Sequence, residues 1–380
     1  MAALVLNEEQ NMLRDAAQRF FRENAPVAQL RALRDSRDET GFSTELWRNM
    51  AEMGFAGTLI SEDFGGSGFG HVGMGQLSEQ AGRNLSASPL FSSSVLAATT
   101  LSLAGSNEQK RAMLPAIASG SLIVALAIDE KARHQPWSIN TTAQNLDAGF
   151  IINGQKSFVV DGHVADRLIV AARTSVGNQD SDGISLFIID PGTEGVRVER
   201  TIMADSRNAA RISLDHVRVG EEALLGGLNQ ADPVLESVLN AGNAQLAAEL
   251  LGLSLEAFER TVSFLQERKQ FGVVIGSFQA LQHRAAHMFS ELELVKSVVL
   301  KALVALDNDA PDTSVLVSLA KAKACEVAEL VTNEMIQMHG GMGMTDEFDA
   351  GLFIKRARVV QQLLGDYRYH ADRFALLHGF

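Results

Sequence analysis

Hydrophobic positions change their period twice along the chain. Up to about residue 121 they recur at helical spacing: Met12, Leu13, Ala16, Ala17, Phe20 and Phe21 follow an Asn7–Gln10 pair that reads as a capping box. Pro26 and Pro115 are expected to mark helix boundaries, and the Gly-rich stretch 64–75 reads as a loop. From 122 to 228 short runs rich in Val and Ile take over: Leu122–Ile128, Phe150–Ile152, Ser157–Val160, Leu168–Ala172 and Ile184–Ile189. Asn153-Gly154 lies between two of them and predicts a hairpin, because a type I′ turn needs positive φ at both centres. Beyond 229 long helical patterns return, near 233–268, 278–308, 312–338 and 349–376, separated by Gly276, Pro311 and Gly340-Gly341. Leu281, Ala285, Met288, Leu292, Val295 and Val299 form a stripe wide enough for a four-helix bundle. The expected class is α+β: an N-terminal helical domain (1–121), a small central β domain (122–228) and a C-terminal four-helix bundle (229–380).

Composition narrows the field. At 380 residues the chain exceeds what one core usually serves, and 46% hydrophobic residues suffice for a large interior. A net charge of −13 argues against nucleic acid, whose phosphates require a basic surface. The longest uninterrupted apolar run, Leu122–Ile128, is strand-sized and cannot span a bilayer, and the apolar run before Asn7 is far short of a signal peptide. Cys325 is the single cysteine; its Ala-rich helical setting reads as core packing rather than a nucleophile, and no intrachain disulfide can form. The expectation is a soluble cytoplasmic protein without a membrane partner.

Two apparent motifs carry little. Gly68-Phe69-Gly70-His71-Val72-Gly73 matches GxGxxG, but no strand runs into it and no acidic residue follows at the ribose-binding distance. His283 and His287 stand at i, i+4, yet no glutamate lies between them and no third metal ligand is evident, so no metal is expected. Two later segments say more. Arg268-Lys269-Gln270-Phe271-Gly272, followed by Ile275 to His283, sets a cation, amides and aromatic rings at a helix end and across the next helix start. Such groups could hold a diphosphate and a flat ring system. Gln337-Met338-His339-Gly340-Gly341-Met342-Gly343 offers glycines that admit a ligand close to the backbone. Taken alone, each segment could equally be a helix cap or a tight turn.

Together these segments resemble two signature stretches of the acyl-CoA dehydrogenase family, in that family's order and separation. Further likenesses are Ser61 to Gly66, Asn153 to Val159, and Leu214-Asp215-His216-Val217 through Gly226. The resemblance implies FAD between the β domain and the C-terminal bundle. Arg268, Gln270 and Phe271 would meet the ADP half of an FAD held by a neighbouring subunit. Phe278, Gln279, Gln337, Gly340 and Gly341 would complete that site, and Phe158 would take the place of a tryptophan that packs on the isoalloxazine. A homodimer, or a homotetramer built from two dimers, follows from a shared site.

The family's reaction needs a carboxylate base over the α carbon of a thioester. Aligned without gaps from Lys355, the position that holds a glutamate in many members is Leu364. The alternative glutamate position, counted back from Phe271, is Gly242, and a neighbouring arginine becomes Asn243. The loop that contacts flavin and thioester reads Ile128-Asp129-Glu130-Lys131-Ala132-Arg133-His134-Gln135, and the hydroxyl near flavin N5 becomes Val160. Asp366, two residues past Leu364, is the nearest carboxylate; Asp129, Glu130 and Asp161 are poorer candidates. The resemblance implies an FAD-dependent acyl-CoA dehydrogenase of fatty acid metabolism, with Asp366 as base, an acyl-CoA substrate and electron-transfer flavoprotein as acceptor. A second reading is a non-catalytic partner subunit in a heteromer with another family chain. A third is different flavin chemistry on the same fold, such as oxidation of a nitro compound or removal of a sulfur group.

Overall fold

The computed structural model describes residues 5–175 and 182–380. Helices α1 (Glu8–Asn24), α2 (Val27–Ser36), α3 (Thr44–Glu52), α4 (Gly70–Arg83), α5 (Ala98–Ala104) and α6 (Asn107–Ala118) come first. Strands β1 (Val124–Ala127), β2 (Thr142–Leu146), β3 (Gly149–Val160), β4 (Arg167–Arg173), β5 (Ile184–Ile189), β6 (Val196–Ile202), β7 (Asn208–Val219) and β8 (Leu224–Leu225) follow. Then come α7 (Asp232–Glu267), the short strands β9 (Lys269–Gln270) and β10 (Val273–Val274), α8 (Gln279–Asp307), α9 (Thr313–His339), α10 (Ala350–Gln362) and α11 (Tyr367–Leu377). The helical, β, helical order expected from the periodicity is the one found. No described helix is long and apolar enough to cross a membrane.

By its contacts the chain forms two compact units: a β unit of Leu33–Gly70 and Ala87–Gly242, and a bundle unit of Met1–Ala32, His71–Ser86 and Asn243–Phe380. In the β unit the main sheet runs β6-β7-β3-β2-β4-β5-β8, with β1 parallel to β4. Phe150, Ile152, Leu168, Val170, Phe187 and Ile212 pack its core, the two phenylalanines meeting edge to face at 4.9 Å. The Asn153-Gly154 hairpin expectation fails: both residues lie inside β3, and β2 turns into β3 between Leu146 and Gly149. Gly154 is needed there for another reason. Its φ is +154°, and a Cβ would stand 2.4 Å from Thr141 Oγ1, so only glycine passes. Asn153 fills the associated bulge by accepting the His216 N–H at 2.8 Å.

Pro115 also departs from expectation, lying within α6 rather than at its end. Burial of Met113, Leu114 and Ile117 and a Ser106–Gln109 capping box outweigh the one hydrogen bond its ring forfeits.

In the bundle unit the capping box at Asn7 is present. The loop expected over 64–75 ends early because α4 starts at Gly70, where the Asp307 carboxylate accepts the His71 and Val72 N–H groups. Gly82 and Gly252 let α4 and α7 touch backbone to backbone: a Cβ would fall 2.3 Å from Glu249 O and 1.9 Å from Glu79 O respectively. A buried ion pair, Arg356 to Glu249 at 2.7 and 2.9 Å, joins α10 to α7. The apolar stripe of α8 is buried from Met288 through Leu292, Val295 and Val299, while Leu281 and Ala285 are half-buried. The single last helix expected over 349–376 is two helices. Leu364 (φ +54°) and Gly365 (φ +106°) leave helical space, and Asp366 then caps α11 by accepting Tyr369 N–H at 2.9 Å.

Candidate functional site

In the bundle unit Arg268 follows the last residue of α7 and leads into a two-residue hairpin. Gln270 pairs with Val273 and Lys269 with Val274, leaving Phe271 (φ +53°) and Gly272 (φ +80°) at the tip. Two successive positive φ values are the geometry of a type I′ turn. The tip lifts Phe271 to 89% exposure, with the Phe278 ring edge-on at 6.3 Å. Arg268, Gln270 and Gln279 are likewise exposed.

The second motif lies at the end of α9, where Gln337, Gly340 and Gly341 are exposed and no atom comes within 4 Å of a Cβ built on either glycine. What ties this end to the hairpin is the His339 ring, held between Phe264 (4.3 Å) and Phe348 (4.4 Å). Phe264 belongs to the last turn of α7, shortly before Arg268. The His339 Nδ1–H donates to Met335 O at 2.6 Å, and burial pushes the imidazole pKa down, so the ring stays neutral and stacks. Sequence reasoning missed Phe264 and Phe348. Their signal, an aromatic four residues before Arg268 and another seven beyond Gly341, is too common to single out.

Phe158, in the β unit, sits in a second irregularity of β3, between Lys156 and Val159. Its φ is +53° and the side chain is half-exposed. Lys156 close by is fully buried, its Nζ donating to Glu130 Oε1 (2.8 Å) and Ile128 O (3.0 Å). Burial lowers the Lys156 pKa to about 8 against the pull of Glu130. Burial pushes Glu130 the other way, yet the Lys156 charge and the hydrogen bonds from Lys156 and Thr141 outweigh it and hold the carboxyl below its ordinary value. Asp129 is engaged by His134 Nδ1 at 2.8 Å, and Asp161 accepts from Ser92 Oγ at 2.6 Å.

Leu364 occupies the turn between α10 and α11, and side chains hold three successive carbonyls there. Lys321 Nζ donates to Leu363 O (2.8 Å) and Gly365 O (3.1 Å), and His370 Nε2 donates to Leu364 O (3.1 Å). Lys321 is wholly buried, which lowers its pKa. Asp366, besides capping α11, lines a groove of about 700 Å³ together with His287, Glu291, Cys325, Arg358 and Arg368. Gly242 and Asn243 are buried in α7. Cys325 is buried and burial raises its thiol pKa, away from a reactive thiolate.

An exposed guanidinium, open glycine backbone and outward-facing aromatic rings fit an anionic diphosphate and a planar ring. Among the described residues no three His, Cys, Asp or Glu side chains gather as a metal site would require.

Comparison with known proteins identifies the scaffold. Residues 7–121, 126–217 and 233–375 match the N-terminal, middle and C-terminal domains of acyl-CoA dehydrogenase. A Bacillus subtilis protein named a probable acyl-CoA dehydrogenase is 30% identical over 364 residues, covering 94% of either chain. A caffeyl-CoA reductase–Etf complex subunit of Acetobacterium woodii is 29% identical over 363 residues, again covering 94% of both. The solved structure of PigA with FAD and proline superposes with a TM-score of 0.91 at 25% identity, covering 99% of this chain and 98% of that one.

Proposed function

Because the chain belongs to the acyl-CoA dehydrogenase family, we propose that it is an FAD-holding subunit acting between the α and β carbons of an acyl-CoA thioester, in an assembly whose second family chain supplies the base. The observation that carries this reading is the turn at Leu364. It is fully formed and clamped by Lys321 and His370, yet it carries an apolar side chain at the position where the family resemblance would put the base. In the bundle unit Arg268, Gln270, Phe271, Phe278, Gln279, Gln337, Gly340 and Gly341 would hold the ADP half of FAD. In the β unit Phe158 would offer its ring face to the isoalloxazine. Bound FAD supplies the acceptor for the β hydride. Electron-transfer flavoprotein is the proposed acceptor beyond it, supported by the relative named for its Etf complex. The 89% exposed Phe271 supports an assembled state that covers it.

A second reading keeps Asp366 as the base within a homodimer or homotetramer. It is favoured by the carboxylate's place two residues past Leu364 on the wall of an open groove.

Anaerobic titration of the purified chain with a panel of acyl-CoAs, following the visible flavin band, separates these readings. The proposal expects FAD uptake without bleaching, and bleaching once a co-expressed family chain bearing the glutamate is present. Bleaching by the chain alone would sink the partner-subunit reading and leave Asp366 to be tested. A chain that takes up no FAD either alone or with its partner would sink the flavin assignment. Turnover of a substrate with no CoA thioester would replace both with different chemistry.

A further inference from the structure

We infer that the buried Lys156–Glu130 pair is the positioning element for Phe158, fixing the direction in which β3 presents that ring to the flavin; this rests on the flavin reading above. The ladder between β3 and β7 is in register at Lys156–Ile212 and again at Val159–Ala210, and skips Ser157 and Phe158 between them. A phenylalanine with φ +53° is disfavoured by contact of its Cβ with the following carbonyl, so such a residue persists only where its surroundings over-determine it.

Contacts on both sides of the bulge do so here. Lys156, 0% exposed, anchors one side through Glu130 and Ile128 O. Ser157 N–H, having lost its ladder partner, donates instead to Asp129 O at 2.7 Å. Val159 is buried in the sheet core on the other side. The Glu130 carboxylate also accepts the N–H groups of Asn140 (2.7 Å) and Thr141 (2.9 Å), so both ends of the 129–141 loop close on the same carboxylate. One ion pair therefore ties the end of β1, the start of β2 and the β3 bulge together, and the side chain left facing out is Phe158. Lys156 is fully buried, and both oxygens of the Glu130 carboxylate, its side chain 7% exposed, are taken by donors of this chain, which makes them positioning residues.

The test reads position 158 with and without FAD. Phe158→Trp, corrected for Trp47 and Trp137 by subtracting the parent spectrum, reports the environment of that ring in the apo-protein. Adding Lys156→Met should raise acrylamide quenching of the introduced indole several-fold with the far-UV spectrum unchanged. In the otherwise native chain Lys156→Met should weaken FAD binding about tenfold or more and shift the flavin band, because a buried pair with one partner removed relaxes strongly. Should Lys156→Met fail to fold, Glu130→Gln, which keeps the shape of the loop carboxyl, is read in the same way. A folded variant with native quenching at position 158 and native FAD affinity overturns the inference. If the wild-type chain takes up no FAD either alone or with its partner, the flavin reading fails by itself, and the quenching comparison still decides whether the pair sets the ring.

Discussion

Lys156 in the β unit and Lys321 in the bundle unit are both completely buried, and they are satisfied in opposite ways. Lys156 faces a full negative charge, Glu130, at 2.8 Å. The hydrogen bonds of Lys321 go to two main-chain carbonyls, Leu363 O and Gly365 O. An ammonium opposite a carboxylate is a pair: removing either partner leaves an uncompensated charge in a poorly polarisable interior. An amine opposite two carbonyl dipoles can lose its proton and still offer the two N–H donors those carbonyls need. The pair therefore fixes the β3 bulge through a direct ion pair, whereas the clamp fixes the 363–366 turn through hydrogen bonds to carbonyls, with the Asp366 and Glu249 charges attracting Lys321 without a direct contact.

The sharpest way to break this contrast is Glu130→Ala. It strands the Lys156 ammonium and frees the N–H groups of Asn140 and Thr141. The expected loss is about 3–5 kcal/mol of unfolding free energy, read from urea midpoints. A loss near zero would show that water or a shifted backbone already satisfies Lys156. Lys321→Met should cost less, about 2 kcal/mol, because two carbonyls lose their donor while a buried charge is removed at the same time. Hydrogen exchange at residues 363–366 should quicken in that variant and remain native in Glu130→Ala. Equal exchange in both would dissolve the distinction between pair and clamp.

Titration gives a comparable and more specific signal. The folded pKa of Lys156 is about 8, below the ordinary 10.5. Between those values the unfolded chain holds more protons than the folded one, so this group makes stability rise with pH, by at most about 1.4 kcal/mol per unit. Below about pH 8 both states are protonated and the contribution is flat. Comparing urea midpoints at about pH 7.5 and about pH 10, either side of the shifted value, for wild type and Lys156→Met isolates the effect: wild type should gain relative to the variant. Identical trends in the two proteins would mean that Lys156 does not titrate in this window.

The sequence made parts of this legible and hid others for physical reasons. The hairpin at Phe271-Gly272 and the open glycines at 340–341 are local strings, so their chemistry could be read before the fold. Asn153-Gly154 misled because glycine serves a positive φ at a bulge as readily as at a turn. The break at Leu364 was missed because Arg358 to Asp372 carry no proline and only one glycine, Gly365, so the pattern continues as helix through it. Neither lysine's role could be read from its type, since lysine is almost never fully buried. Lys321 did leave a trace: it shares one helical face with Val317, Ala324 and Ala328, all buried, which places a charge inside an apolar stripe. Lys156 left a weaker one, within a strand whose register shifts twice.

The smallest expected effect decides the most about chemistry. Asp366 accepts the Tyr369 N–H at 2.9 Å as the N-cap of α11. Asparagine caps a helix as well as aspartate does, whereas alanine costs about 1 kcal/mol. Asp366→Asn should therefore leave the unfolding midpoint where it is, and Asp366→Ala should lower it slightly. That separation matters because Asp366→Asn deletes the carboxylate while sparing the cap. If Asp366 is only a cap, flavin bleaching by the chain alone is the same in Asp366→Asn as in the parent. If bleaching disappears in a variant of native stability, the carboxylate is removing the α proton, and the clamped turn at Leu364 delivers its base two residues later than the family pattern places it.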